Sequence, residues 1–135
     1  LELWRGYLDN ARDAVVRRIL ELCIDDKVRH AAFGWFYLEK RAPELGAGDK
    51  ALIAETIAAH LCEVEFKGYH CAWMVPDNAA QDVVAADIKT AEMGLGALAP
   101  EAEHGIVSDY LDQAYGRLAN LGINVAPTEI PTPGR

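Results

Sequence analysis

A chain of 135 residues can enclose one hydrophobic core but not two. Its composition, 51% apolar and 25% charged, is that of a globular protein and excludes general disorder. A net charge of −8 argues against a nucleic-acid partner held by clustered cations, and no apolar run reaches the roughly eighteen residues of a membrane span, so a soluble cytoplasmic protein is expected.

From about Asp13 to Arg41 there is no proline, and apolar residues recur at helical period, which predicts a helix of some eight turns. Steps of about 100° place Val16, Ile19, Leu20, Cys23, Gly34, Tyr37 and Leu38 on its inner side. Arg17, Arg18, Glu21, Asp25 and Arg29 fall opposite, and the basic group Arg12, Arg17 and Arg18 reads as a solvated helix face. Pro43 stops this helix, and Gly46 and Gly48 make the turn.

A second helix is predicted from the N-cap Asp49 to about Met74, with Ile53, Ile57, Leu61, Val64 and Cys71 inward, ending before Pro76. A third, shorter one begins at Asp77 or Asn78, turns Val84, Ile88 and Leu95 inward, and fades at Gly94 and Gly96. Pro100 suits the first turn of a fourth, whose stripe is Val107, Tyr110, Leu111, Ala114, Leu118 and Leu121, with Gly122 as its C-cap. Residues 126–135, with three prolines, predict an extended or disordered tail behind a helical domain spanning 1–125. No run alternates β-branched with polar residues, so the fold class is all-α, an antiparallel helical bundle.

Cys23, Cys62 and Cys71 are odd in number and form no C-x-x-C pair, which fits a reducing compartment without a disulfide framework. Cys62 and Cys71 lie near His60 and His70, but their helical angles diverge, which speaks against a zinc site. Leu1 stands where a methionine is expected, which leaves room for residues upstream.

Lys27 and His30 interrupt the inner stripe of the first helix near its centre, one turn apart, and are expected to look into the bundle interior. The string Asp26-Lys27-Val28-Arg29-His30, followed by Phe33-Gly34, resembles the D-E-x-R-H-x-x-F-G segment of ferritin-like and ribonucleotide-reductase-like diiron proteins. In that family the Glu and the His bind iron or manganese inside a four-helix bundle. His30 holds the histidine position, and Lys27 stands in the glutamate position, where an ammonium group cannot ligate a cation. The resemblance covers residues 14–43 and implies a ferritin-like bundle or part of one.

Further ligands the resemblance calls for are sought at Glu65, nearer the apolar stripe, and at Glu63, turned away from it. Lys27 is expected to pair with Glu65, its charge standing where a metal would neutralise carboxylates. Glu101 and His104 make a second E-x-x-H in a fraying first turn. Three functions follow: a metal-free or metal-depleted bundle acting as a structural or interaction subunit; the C-terminal part of a diiron oxidoreductase or oxygenase with its other ligands upstream or on a second chain; and a small-molecule binder lined by His30, Tyr37 and Cys23. The first is preferred because of Lys27. Aromatics that leave the main stripe, Trp35 and Phe36, suggest a homo-oligomer or a partner protein chain.

Overall fold

The computed structural model describes residues 1–134. Five α-helices make up the chain: α1 (Glu2–Asn10), α2 (Ala14–Arg41), α3 (Ala47–Glu63), α4 (Gln81–Met93) and α5 (Pro100–Asn120). Single 3-10 turns lie at Ala42–Glu44, Glu65–Lys67, Ala72–Met74 and Pro76–Asn78, and no strand occurs among the described residues. The fold is therefore all-α, and no helix is long and apolar enough to cross a membrane among the described residues.

Side chains and glycines set the helix ends. Asp13 caps α2, its Oδ1 accepting the Val15 and Val16 N–H groups at 2.9 and 3.0 Å. Asp49 lies inside the first turn of α3, where its Oδ2 accepts the Gly46 N–H at 3.1 Å, so the helix begins slightly before the expected cap. Gly94, at φ 71°, closes α4, with the Leu95 N–H reaching back to the Thr90 carbonyl at 3.1 Å. Gly122, at φ 75°, closes α5, and the Ile123 N–H returns to the Leu118 carbonyl at 3.0 Å. That turn delivers Ile123 into complete burial.

Two elements differ from expectation. The second predicted helix ends at Glu63 instead of running on to Met74. Gly68, at φ 93°, reverses the chain so closely that an added Cβ would lie 2.2 Å from Val75 Cγ2, and the reversal carries Phe66, Cys71 and Met74 into the core. The next helix starts at Gln81, because Asp77 and Asn78 hold consecutive left-handed conformations, φ 57° and 54°, that a helix cannot continue through.

Helix α1, which precedes the first of the predicted helices, packs on both α2 and α5. Gly6 permits this approach: a Cβ there would meet Ile106 at 2.6 Å and Leu98 at 2.8 Å. Two core clusters lie along α5. One gathers Phe66, Cys71, Met74 and Leu111, the other Ala54, Leu118 and Ile123. The C-terminal segment is extended as expected, and it is laid on the body: Ile130 packs on the first cluster, and the Thr128 and Tyr115 hydroxyls meet at 2.9 Å.

Helix α2 is held at its two ends. Near its start Arg17 Nη1 donates to the Leu8 and Ala11 carbonyls, both at 2.9 Å, and Arg12 donates to the Glu92 carbonyl. Two members of the expected solvated basic face thus tie down the ends of α1 and α4, and Arg18 alone keeps to that reading with a surface contact to Glu21. Near its end the Arg117 guanidinium lies 4.2 Å from the centre of the Trp35 ring and donates through Nε to Glu39 at 2.9 Å. Between these clamps, residues 25–34 contribute no buried side chain, and Ala31 alone is half-buried.

Candidate functional site

The middle of α2 is where the resemblance places its motif, and there the side chains face outward. His30 is exposed, with Nδ1 3.5 Å from Asp26 Oδ2 one turn earlier. Lys27 is exposed as well. The expectation that this amine and imidazole look into a helix cluster is corrected: within this chain they look out. The cause is a rotation of roughly a quarter turn in the buried side of α2, which carries Leu20, Ile24, Ala31, Trp35 and Leu38 while Ile19 and Tyr37 stand in solvent.

Behind the free middle of α2 lies a cleft of about 1010 Å³, walled by Val28, Ala31 and Ala32 on one side and by Leu61, Phe66 and Val107 on the other. Glu65 also lines it, between two histidines. Its Oε1 takes a hydrogen bond from His60 Nε2 at 3.1 Å and its Oε2 one from His70 Nδ1 at 2.6 Å, since an ionised carboxylate can only accept. Both oxygens are engaged, and no ion pair joins Glu65 to Lys27 among the described residues. Glu63 is exposed at the end of α3. Tyr37 is exposed and Cys23 half-buried, and neither borders the cleft, so they are not the cavity-lining pair expected.

His30, Glu63 and Glu65 are therefore not brought together, and among the described residues no cluster of three His, Cys, Asp or Glu side chains is arranged for a metal ion. Iron or manganese does not fit the residues as this chain alone arranges them. Of the second E-x-x-H, Glu101 is exposed, and His104 sits beside Trp73, ring centres 5.9 Å apart.

The buried carboxylate is a different one. Glu103, 8% exposed, lies in the first turn of α5 and receives the Tyr7 hydroxyl on Oε1 at 2.7 Å and the Trp73 indole N–H on Oε2 at 2.8 Å. It thereby joins α1, the 72–74 turn and α5. Burial, then the bond to Glu103, pushes the Tyr7 hydroxyl well above its ordinary value. Burial, then the Glu103 charge, raises the Cys71 thiol too, which makes it a poor nucleophile. A signal for Glu103 was present: the stripe through Val107 and Leu111, carried back four residues, reaches it.

The least explained surface is the outer side of α2. Val15 is 67% exposed, Ile19 54%, Leu22 52%, Phe33 68% and Phe36 58%, all along one face, with Asp26 and Arg29 between the two apolar halves. Scattered apolar residues on a surface are ordinary, but here five share one face of one helix, in two groups. Comparison with family models, curated proteins and solved structures finds no match to this chain.

Proposed function

We propose that this chain is an assembly unit: a helical structural or interaction subunit that offers the outer face of α2 to helices from outside itself, and does so without a metal of its own. The observation that carries the reading is the row Val15, Ile19, Leu22, Phe33 and Phe36, each more than half exposed on a helix whose opposite side is packed toward its two ends. An α-helix with apolar residues on two sides has its stable place inside a bundle. The resemblance to ferritin-like proteins does not carry this reading, because it rests on Lys27 and His30 facing inward and both are exposed. In an assembled particle Asp26 and His30 would then face an interior built by more than this chain's helices.

Sedimentation of the wild-type chain beside Phe33→Asp tests the proposal. The variant is expected to keep wild-type helicity and to lose both association and the binding of an apolar fluorescent dye. Equal mass and equal dye binding in the two proteins would overturn it. Metal analysis of protein purified without chelator tests the second clause: stoichiometric iron or manganese, lost in His30→Ala, would replace the metal-free subunit by the oxidoreductase reading.

A further inference from the structure

The outer face of α2 has a stricter order than exposure alone. Val15, Ile19, Leu22, Asp26, Arg29, Phe33 and Phe36 follow one another at alternating steps of four and three, and all are exposed. That is the spacing of a coiled-coil seam. Its only polar members are adjacent and opposite in charge.

We infer that the occupant of this face is a second copy of the chain, with the two α2 helices antiparallel and Asp26 of each set against Arg29 of the other. The inference rests on the reading of α2 as an assembly face. In this register Leu22 meets the partner's Phe33, Ile19 meets the partner's Phe36, and His30 lies on the flank of the seam.

Charge selects the arrangement. A parallel in-register pair sets Asp26 on Asp26 and Arg29 on Arg29, two like-charge contacts in an apolar seam. An antiparallel pair slipped by one heptad sets Asp26 against Leu22 or against Phe36 and leaves its charge without a partner. The unslipped antiparallel pair makes two Asp-Arg contacts and keeps every apolar residue opposite another, apart from Val15, which meets the aliphatic stem of the partner's Lys40.

The register has an independent mark. Its two-fold axis passes between residues 27 and 28, the midpoint of α2 (Ala14–Arg41), so the helices overlap along their whole length. The chain as a whole is strongly acidic, but α2 carries six Lys and Arg against four Asp and Glu, so the acidity is not concentrated where the copies meet. The seam is roughly 32 Å long. With roughly 150–250 Å² for a large side chain, the exposed fractions offer on the order of 600 Å² per copy, which brings the pair to the lower end of stable specific interfaces.

Sedimentation equilibrium of four proteins, with helicity checked for each, tests this: wild type, Asp26→Arg, Arg29→Asp and the double exchange Asp26→Arg with Arg29→Asp. The wild type is expected to be a dimer, each single exchange to weaken it by about tenfold or more, and the double exchange to return it to within about threefold. A dimer indifferent to the single exchanges, or not restored by the double one, overturns the antiparallel pairing and leaves the assembly face standing. A monomer that binds an apolar dye, and loses that binding in Phe33→Asp, overturns the second copy but keeps the face. A monomer that binds no dye overturns both.

Discussion

Glu103 and Asp26 are both carboxylates on helices with apolar neighbours, yet one is enclosed and the other bare. Around Glu103 three elements converge, two donors satisfy the carboxylate, and Phe66, Met74 and Leu111 fill the adjoining core. Around Asp26 the helix is supported only at its distant ends, and its neighbours Arg29 and His30 sit on the same helix. A charged residue in an apolar stripe therefore carries two meanings. At Glu103 it is a finished polar contact that joins three segments, and at Asp26 it is a surface charge whose neighbours lie one turn on along its own helix, open to the inferred second copy.

The sharpest way to break this contrast is to damage the enclosed region. Phe66→Ala should cost about 3–5 kcal/mol, since the side chain is 7% exposed and packs with Cys71, Met74 and Leu111. Urea denaturation of the variant checks the figure, and a loss below about 1 kcal/mol would mean that the 64–75 reversal is not part of the cooperative core. Glu103→Leu should cost about 2–3 kcal/mol by leaving the Tyr7 hydroxyl and the Trp73 N–H without an acceptor. Tyr7→Phe should cost about 1 kcal/mol alone and much less in the Glu103→Leu background, a coupling that independent sites would not show.

The same region sets the alkaline limit. Both the Cys71 thiol and the Tyr7 hydroxyl have pKa values raised on folding above their ordinary 9.0 and 10.0, so the folded state holds these protons more tightly than the unfolded one. Their stabilisation is complete below the unfolded values and is lost as pH rises beyond them. The urea midpoint should therefore decline from about pH 9 upward, and Cys71→Ala should delay that onset toward pH 10. An identical decline in the variant would remove Cys71 from the account.

How much of this was legible in the sequence depends on which side of a helix is asked about. Pro43, Gly94, Pro100 and Gly122 end or begin helices where their backbone chemistry requires, and each acts there as expected. Helix α1 had its signal in Leu1, Trp4 and Leu8 with Leu3 and Tyr7, which recur at helical spacing, but at nine residues it has little stability of its own and is held by packing on α2 and α5. The early end of α3 had its signal in Gly68, which a periodicity count does not weigh. The orientation of α2 failed for a more instructive reason. This helix has an inner row, Leu20, Ile24, Ala31, Trp35 and Leu38, and an outer row, Val15, Ile19, Leu22, Phe33 and Phe36, on opposite sides. A single apolar direction drawn through both falls between them, on the sector of Cys23, Lys27 and Gly34, and makes residues at a boundary look central. The candidate residues on α2, Cys23, Lys27, His30 and Tyr37, inherited that error.

The free middle of α2 allows two gentler tests, both on protein diluted until it is monomeric. Gly34→Ala should stabilise the fold by about 0.5–1 kcal/mol, because a Cβ there meets nothing within 4 Å and alanine restricts the unfolded chain. A loss of stability would show that residue 34 is covered in solution.

The smallest expected change is the most discriminating. Lys27→Met and His30→Ala should each alter stability by less than about 0.5 kcal/mol, the usual range for exposed positions without a partner across the fold. Were the two side chains enclosed and paired, removing one would leave the other as an uncompensated buried charge, at about 3–5 kcal/mol. The gap between these figures is several times the error of a denaturation curve. Near-silence in the monomer, joined to a weakened dimer for His30→Ala alone, would place His30 at a contact between chains and Lys27 outside it, as the antiparallel register requires of residues that lie a single turn apart.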